Sequence, residues 1–271
     1  MKKIDLGLKA NTDPAQIKNR LTYKPNVFEF YTDEKDFTKD GLKRLSYSID
    51  EVKDHGIDKI VLHHPMRYKG EFTELLTLET KMPELYRFIE QSSLDLLQLS
   101  YDKDVQTLIH GAYSRETAKF INKFDSLAKA QAYTFSRLDH FKELGKEHVM
   151  FENSIAPVFY YGDKEVDKEI LAHDYRLAFD TSHCFIYWQG DNDKLKFALA
   201  NLKDAIVHYH LVDSLGKTHD SLEVGKGKID WKGVLPLLND NATNIFEIVL
   251  KNQLDATEQV KSYEFLTQKL S

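Results

Sequence analysis

Several side chains able to bind a cation or move a proton stand at matching places in this chain, each closing a short apolar run. His63 and His64 end "KIVLHH", His110 ends "VQTLIH", and Glu152 closes "HVMFE". Asp180 ends "YRLAFD" with His183 three residues on, His210 lies in "AIVHYHL" ahead of Asp213, and Glu247 lies in "NIFEIVL". Three carboxylates converging on one place would repel one another and could not all ionise unaided. A divalent cation removes that conflict. Glu152, Asp180, His210 and Glu247 form an oxygen-rich set with one imidazole, which suits Mn²⁺, Co²⁺, Mg²⁺ or Zn²⁺ without choosing among them.

Other readings of single residues stand beside this one. Asp180 ahead of "TSH" also suits a helix cap, and Asp213 suits a local turn as well as a substrate contact. His208 precedes His210 by two and is expected to face the helices or a neighbouring strand, as a structural residue. His55, His140, His148 and His173 fall in helical or strand-start contexts and read as solvated.

The elements that must position these groups are legible in the alternation of apolar patterns. Strands are expected at "IDLGL" near Ile4, "VFEFY" from Val27, "KIVLHH" from Lys59, "VQTLIH" from Val105, "HVMFEN" from His148, "YRLAFD" from Tyr175, "AIVHYHL" from Ala205 and "NIFEIVL" from Asn244. Each is short and rich in Val, Ile, Leu or Phe, as strands buried on both faces are. In "GLKRLSYSIDEVKDHG", Leu42, Leu45, Ile49 and Val52 recur at helical spacing before Gly56. One long helix is expected over 114–144 with Gly145 ending it, another starting at Pro83, and two more in "NDKLKFALANLKD" and "DATEQVKSYEFLTQKL". The first strand is not followed by a glycine-rich phosphate loop, so the alternation predicts an α/β chain folded as a single (β/α)8 TIM barrel domain over 1–271. In such a barrel the strand ends form the active face.

Composition narrows the function classes. With 271 residues and 42% hydrophobic content the chain can bury a barrel-sized core. A formal net charge of −6 gives no reason to expect a nucleic-acid or anionic-membrane partner. No run is long and apolar enough to span a membrane. Cys184 is the only cysteine, which fits a reducing compartment, and "MKKIDLGLKANTD" has too little apolar length for a signal peptide, so a cytoplasmic protein is expected. A homo-oligomer is compatible with all of this.

Taken in order, "VMFENS", "LAFDTSH", "HYHLVDS", "HDSLEVGKGKIDW" and "IFEIVL" resemble the xylose-isomerase-like barrels, which include sugar and sugar-phosphate isomerases and epimerases together with endonuclease IV. The resemblance implies that Glu152, Asp180, His210 and Glu247 are the metal tetrad and that His183 contacts substrate oxygens beside it. It implies a metal-dependent isomerase or epimerase acting on a small sugar, keto-sugar or sugar phosphate through an enediolate, with Glu152, Glu247 and His183 as catalytic groups. Tyr68, Tyr187 and Trp188 are expected to wall the substrate, and no phosphate-binding residue is identified.

The endonuclease branch implies an alternative, a multi-metal phosphodiester hydrolase in which His63, His110, His183 and His219 hold further ions. His64 and Asp213 are further candidates for a second metal or for substrate. That branch has an Asp two residues before its last histidine, where this chain has Lys217. A metal-dependent dehydratase uses the same parts.

Overall fold

The computed structural model describes residues 3–113 and 117–269. Eight parallel strands follow one another around a nearly closed barrel. They are β1 Gly7–Ala10, β2 Val27–Tyr31, β3 Lys59–His63, β4 Gln106–His110, β5 Val149–Glu152, β6 Leu177–Asp180, β7 Ile206–His210 and β8 Thr243–Ile245. Consecutive strands pair in parallel from β1 to β8. The barrel is drawn shut between β8 and β1, where Phe246 N–H donates to Gly7 O (3.2 Å) and the Asn244 amide bonds both N–H and C=O of Asp5.

Side chains alternate along each strand, so one set faces the helices and the other the barrel interior. On β2, Phe28 and Phe30 pack outward with Leu45, Ile49 and Val52, leaving Val27, Glu29 and Tyr31 inside. Val61, Leu108, Met150 and Ala178 form a separate apolar cluster, two residues before His63, His110, Glu152 and Asp180 on the same strands. The interior is therefore layered, with an apolar floor and a ring of polar groups above it.

The covering helices follow their sequence signals. The helix Lys39–Asp54 is capped by Thr38, whose hydroxyl accepts from Gly41 N–H at 3.0 Å, and it buries Gly41, Leu45, Ile49 and Val52 on one face. Gly56 then takes φ +82°, the left-handed turn that glycine allows freely. Pro83 opens the helix Pro83–Lys103 as expected. The expected helix over 114–144 is instead two helices, Ala118–Ile121 and Leu127–Gly145, the second capped afresh by the Ser126 hydroxyl on Lys129 N–H; residues 114–116 lie outside the described residues. The eighth strand is shorter than its apolar pattern, so Glu247 stands two residues beyond it on irregular backbone. Among the described residues no helix is long and apolar enough to cross a membrane.

Gly7 is required by closure. A Cβ there would lie 1.8 Å from the carbonyl oxygen of Asn244. Gly7→Ala is expected to cost at least about 1–3 kcal/mol, the usual penalty for overpacking. Urea denaturation measures it, and an unchanged midpoint would refute the role given to this contact.

Candidate metal centre

The strand ends bring Glu152, Asp180, His210 and Glu247 together, with one ligand-capable atom from each lying within 4.8 Å of every other. Glu152 and His210 are fully buried and Asp180 nearly so. Asp180 does cap the next helix, since its Oδ1 accepts from His183 N–H (2.7 Å) and the Ser182 hydroxyl (2.8 Å). The cap and the cluster are compatible, because a carboxylate has more than one acceptor site. Asn153 ties two strand ends together: its Oδ1 accepts from Asp180 N–H and its Nδ2 donates to Asp180 O.

Both oxygens of Glu152 and the Nδ1 of His210 are buried without a hydrogen bond of acceptable geometry. Each such atom costs about 1–3 kcal/mol when left unmet. They are not isolated, however: His210 Nδ1 is 3.3 Å from Glu152 Oε1 and 2.5 Å from Glu247 Oε2. A nitrogen lone pair facing two carboxylates is repulsive, so a positive charge belongs between them, either a proton on Nδ1 or a metal ion. The donor set fits a divalent cation of the hard to borderline kind.

The electrostatics agree. Burial opposes ionisation of Glu152, yet His110 and His210 on either side outweigh it and hold its carboxyl well below the usual range. Burial likewise opposes a charge on Glu247, but Lys9 and His210 hold it low. His210 is driven the other way, well above an ordinary imidazole, because Glu152, Glu247 and Glu29 overcome its burial. His183, drawn down by burial but facing Asp180 and Glu152, is pushed up to about 9.

His183 lies against the cluster, with Nδ1 3.3 Å from Glu152 Oε1 and 2.9 Å from the Asn153 carbonyl oxygen. Its Nε2 meets Nε2 of His219 at 2.9 Å, reached from the loop after β7. On the other side His110 Nε2 is 3.0 Å from Glu152 Oε2 and 3.2 Å from His63 Nε2, so His63, His110 and Glu152 make a second convergent group sharing a carboxylate with the first.

Two candidates are placed elsewhere. His64 follows His63 and so points to the opposite face, where its Nε2 is 2.9 Å from Ser92 Oγ on the helix Pro83–Lys103. The Ser92 hydroxyl is committed to Phe88 O (2.7 Å) and thus accepts from His64, which is neutral. Asp213 organises its own loop: its two oxygens accept from the N–H groups of Ser214, Gly225 and Ile229 and from the Trp231 indole, at 2.8–3.2 Å. A carboxylate so fully engaged has little left for a metal or substrate.

His208 does contact a neighbouring strand, with Nδ1 2.6 Å from Thr243 Oγ1 on β8, but it does not face the helices. Residues two apart on a strand share a face, so it points inward with His210, fully buried, its Nε2 3.4 Å from Glu29 Oε2. The expected aromatic wall is different too. Tyr187 stacks on Tyr160, the Trp188 indole donates to Tyr161 O, and Tyr68 stacks on Phe88. The cleft above the cluster has two lobes that share His63, Met66, His219 and Glu247. One, of about 300 Å³, is lined by Lys9, Tyr31 and Gln253; the other, of about 320 Å³, by Phe72, Tyr113 and Ile155. A larger cleft of about 490 Å³ lies by Val149, Arg176 and Ala205 at the strand starts, the end of a barrel associated with stability rather than chemistry.

Lys9 and Glu29 belong to the centre and were missed in the sequence. Lys9, inward on β1, forms an ion pair with Glu247 Oε1. Glu29, inward on β2, accepts from His210 Nε2–H at 3.0 Å. Each breaks the apolar pattern of its strand, which was the available signal.

Burial pushes His64 down to about 3. Its unfolded value is near 6.5, so between those values the unfolded chain binds the extra proton and stability falls as pH falls. Relative to His64→Gln, the parent protein is therefore expected to lose up to about 1.4 kcal/mol per pH unit below about 6.5. Urea titrations of both at about pH 7 and pH 5 measure the difference, and parallel curves would exclude it.

Comparison with known proteins places the geometry. A search of curated proteins finds no match. Among solved structures, D-psicose 3-epimerase with D-tagatose from Clostridium cellulolyticum superposes with a TM-score of 0.70 at 14% identity, covering 100% of both chains. The IOLI protein with a bound zinc atom gives 0.67 at 14% identity over 99% of each chain. Endonuclease IV from Thermus thermophilus gives 0.63 at 14% identity over 97% of this chain and 98% of the other. Residues 164–268 match the family model described as xylose isomerase-like TIM barrel. That match covers 105 of the 271 residues, and the neighbours share the TIM-barrel fold along the whole chain.

Proposed function

We propose that this protein is a metal-dependent isomerase or epimerase of a small sugar, keto-sugar or sugar phosphate. The observation that carries the reading is the convergence of Glu152, Asp180, His210 and Glu247 around buried atoms without hydrogen-bond partners, with Glu247 lining the cleft above them. The likeness to a D-psicose 3-epimerase supports the substrate class, and the zinc-bound neighbour supports the cation. These four residues would hold the metal, which when bound polarises a carbonyl and its adjacent hydroxyl.

The protein's own groups do the rest. Glu152 and Glu247 come from strands on different sides of the barrel, so they face a bound hydroxyketone from two directions. Each is held ionised in the free protein, and either can take the α-proton, the electrons passing to the carbonyl as an enediolate forms. The opposite carboxylate takes up a proton from solvent water and delivers it to the other face, which inverts the carbon, while the first releases the abstracted proton to solvent; general acid–base work of this kind supplies about 10²–10⁴-fold. His183 orients a substrate oxygen beside Glu152, and Phe72, Tyr113 and Tyr31 border the two lobes against the sugar.

Hydrolysis of a phosphate ester is the second reading, favoured by the group His63–His110–Glu152, which offers a second cation a place next to the first. Lys217 stands where the endonuclease pattern has an acid, so a complete third site beside His183 and His219 is not expected.

Two measurements test these readings. Elemental analysis of protein purified without added metal is expected to give about one divalent ion per chain, weakened or lost in Glu247→Gln. Two or three zinc ions would move the assignment to hydrolysis. Second, a screen of ketoses and ketose phosphates in D₂O is expected to show epimerisation with deuterium entering at the inverted carbon. Glu152→Gln and Glu247→Gln should each slow turnover by about 10²-fold or more; full activity in either variant would reject the two-carboxylate mechanism.

A further inference from the structure

We propose that Glu29 is a positioning residue of this centre: from beneath, its carboxylate holds Nε2–H of His210 and so fixes Nδ1 as the nitrogen offered to the cation. The inference rests on the metal-tetrad reading and goes beyond it, to what makes His210 a ligand in one orientation.

The geometry is specific. His210 Nε2 is 3.0 Å from Glu29 Oε2, while Nδ1 of the same ring faces Glu152 and Glu247. An imidazole that donates from one nitrogen presents a lone pair at the other, and a carboxylate on the far side raises its basicity and locks its rotation. Glu29 has a second imidazole close by, although His208 Nε2 and Glu29 Oε1 make no hydrogen bond among the described residues. The Nε2 of His208 lies 3.4 Å from Glu29 Oε2, and His208 Nδ1 is 2.6 Å from the Thr243 hydroxyl on β8. Thr243, His208, Glu29 and His210 thus form a chain across β8, β7 and β2, and Glu29, His208 and His210 are completely buried.

Placement makes an incidental origin a poor account. At this level of the interior β3, β4, β5 and β6 contribute Val61, Leu108, Met150 and Ala178. A carboxylate and an imidazole replace such residues only on β2 and β7 among those six strands. Removing a carboxylate from water without need is costly, and an apolar pair of similar volume would be as stable or more so. The ordinary reason for such a chain under a ligand histidine is to orient it.

Glu29→Gln and Glu29→Met, with the parent protein, separate this role from a merely structural one. Affinity for Zn²⁺ and Mn²⁺ is measured by competition with a chelator, and unfolding of each metal-free protein by urea. Glu29→Met is expected to weaken metal binding about 10–100-fold and also to lower metal-free stability, because the buried Nε2–H of His210 loses its acceptor, and Glu29→Gln, whose amide oxygen still accepts from Nε2–H, to recover part of both losses. Nitrogen-15 spectra of the histidine rings should show the His210 Nε2–H signal in the metal-bound parent and its shift or loss in Glu29→Met. Should the methionine variant not fold, Glu29→Gln decides, since it must still bind less tightly than the parent. Unchanged affinity in a folded variant overturns the role of Glu29 and leaves the tetrad standing. Absence of metal binding by the parent overturns both.

Discussion

Like charge gathered in a buried place is the constraint on which this molecule is organised. Glu29, Glu152, Asp180 and Glu247 occupy one end of the barrel interior, three of them with essentially no contact with water. Two unit charges 4 Å apart repel by about 4 kcal/mol even at an effective dielectric constant near 20. The fold answers with basic side chains placed between them: Lys9 on Glu247, His210 between Glu29, Glu152 and Glu247, and the imidazoles of His110 and His183 on the two sides of Glu152. These partners offset the repulsion and keep Glu29, Glu152 and Glu247 ionised.

The layering of the barrel is what makes the arrangement structurally feasible. A parallel strand buried on both faces gives one row to the helices and one to the interior, and two residues separate successive interior levels. Val61, Leu108, Met150 and Ala178 close the lower level against water, so the groups above them act in a dry environment where their fields are strong. Gly7 contributes at a distance. By letting β8 approach β1, it brings Glu247 within reach of Lys9 and His210, although Glu247 lies beyond the last regular strand residue.

What could be read in the sequence follows the same division. The eight strands, and the convergence of Glu152, Asp180, His210 and Glu247 at one end of them, were legible because most of the strands are short apolar runs with a polar residue at or just beyond the end. His208 contacts the neighbouring strand at Thr243 but shares the inward face of His210, because two residues apart on a strand means one face, not two. His63 and His64 show the complementary case, adjacent residues sent to opposite faces, so only His63 reaches the centre. The break between the helices Ala118–Ile121 and Leu127–Gly145 was hidden because the apolar spacing runs on through it, while Ser126 supplies a new cap that the periodicity does not register. Lys9 and Glu29 escaped notice because interior positions below or before the strand end carry no motif; only their charge within an apolar run gives them away.

Shared fold does not choose the chemistry, since barrels of one shape serve epimerases and a nuclease alike. What discriminates is the balance of charge around the centre. A nuclease of the multi-metal kind must surround a phosphodiester with several cations and therefore needs acidic ligands for each of them. This chain has acids for the tetrad, shares Glu152 with a second group, and at the His183–His219 side offers imidazoles beside Lys217 in place of another carboxylate. The Lys9 side is likewise already neutralised by Glu247. That charge pattern, with its acids gathered in one place and imidazoles and a lysine around the rest of the cleft, is why the proposed reading takes one principal cation and a polyhydroxy ketone rather than a chain of metals.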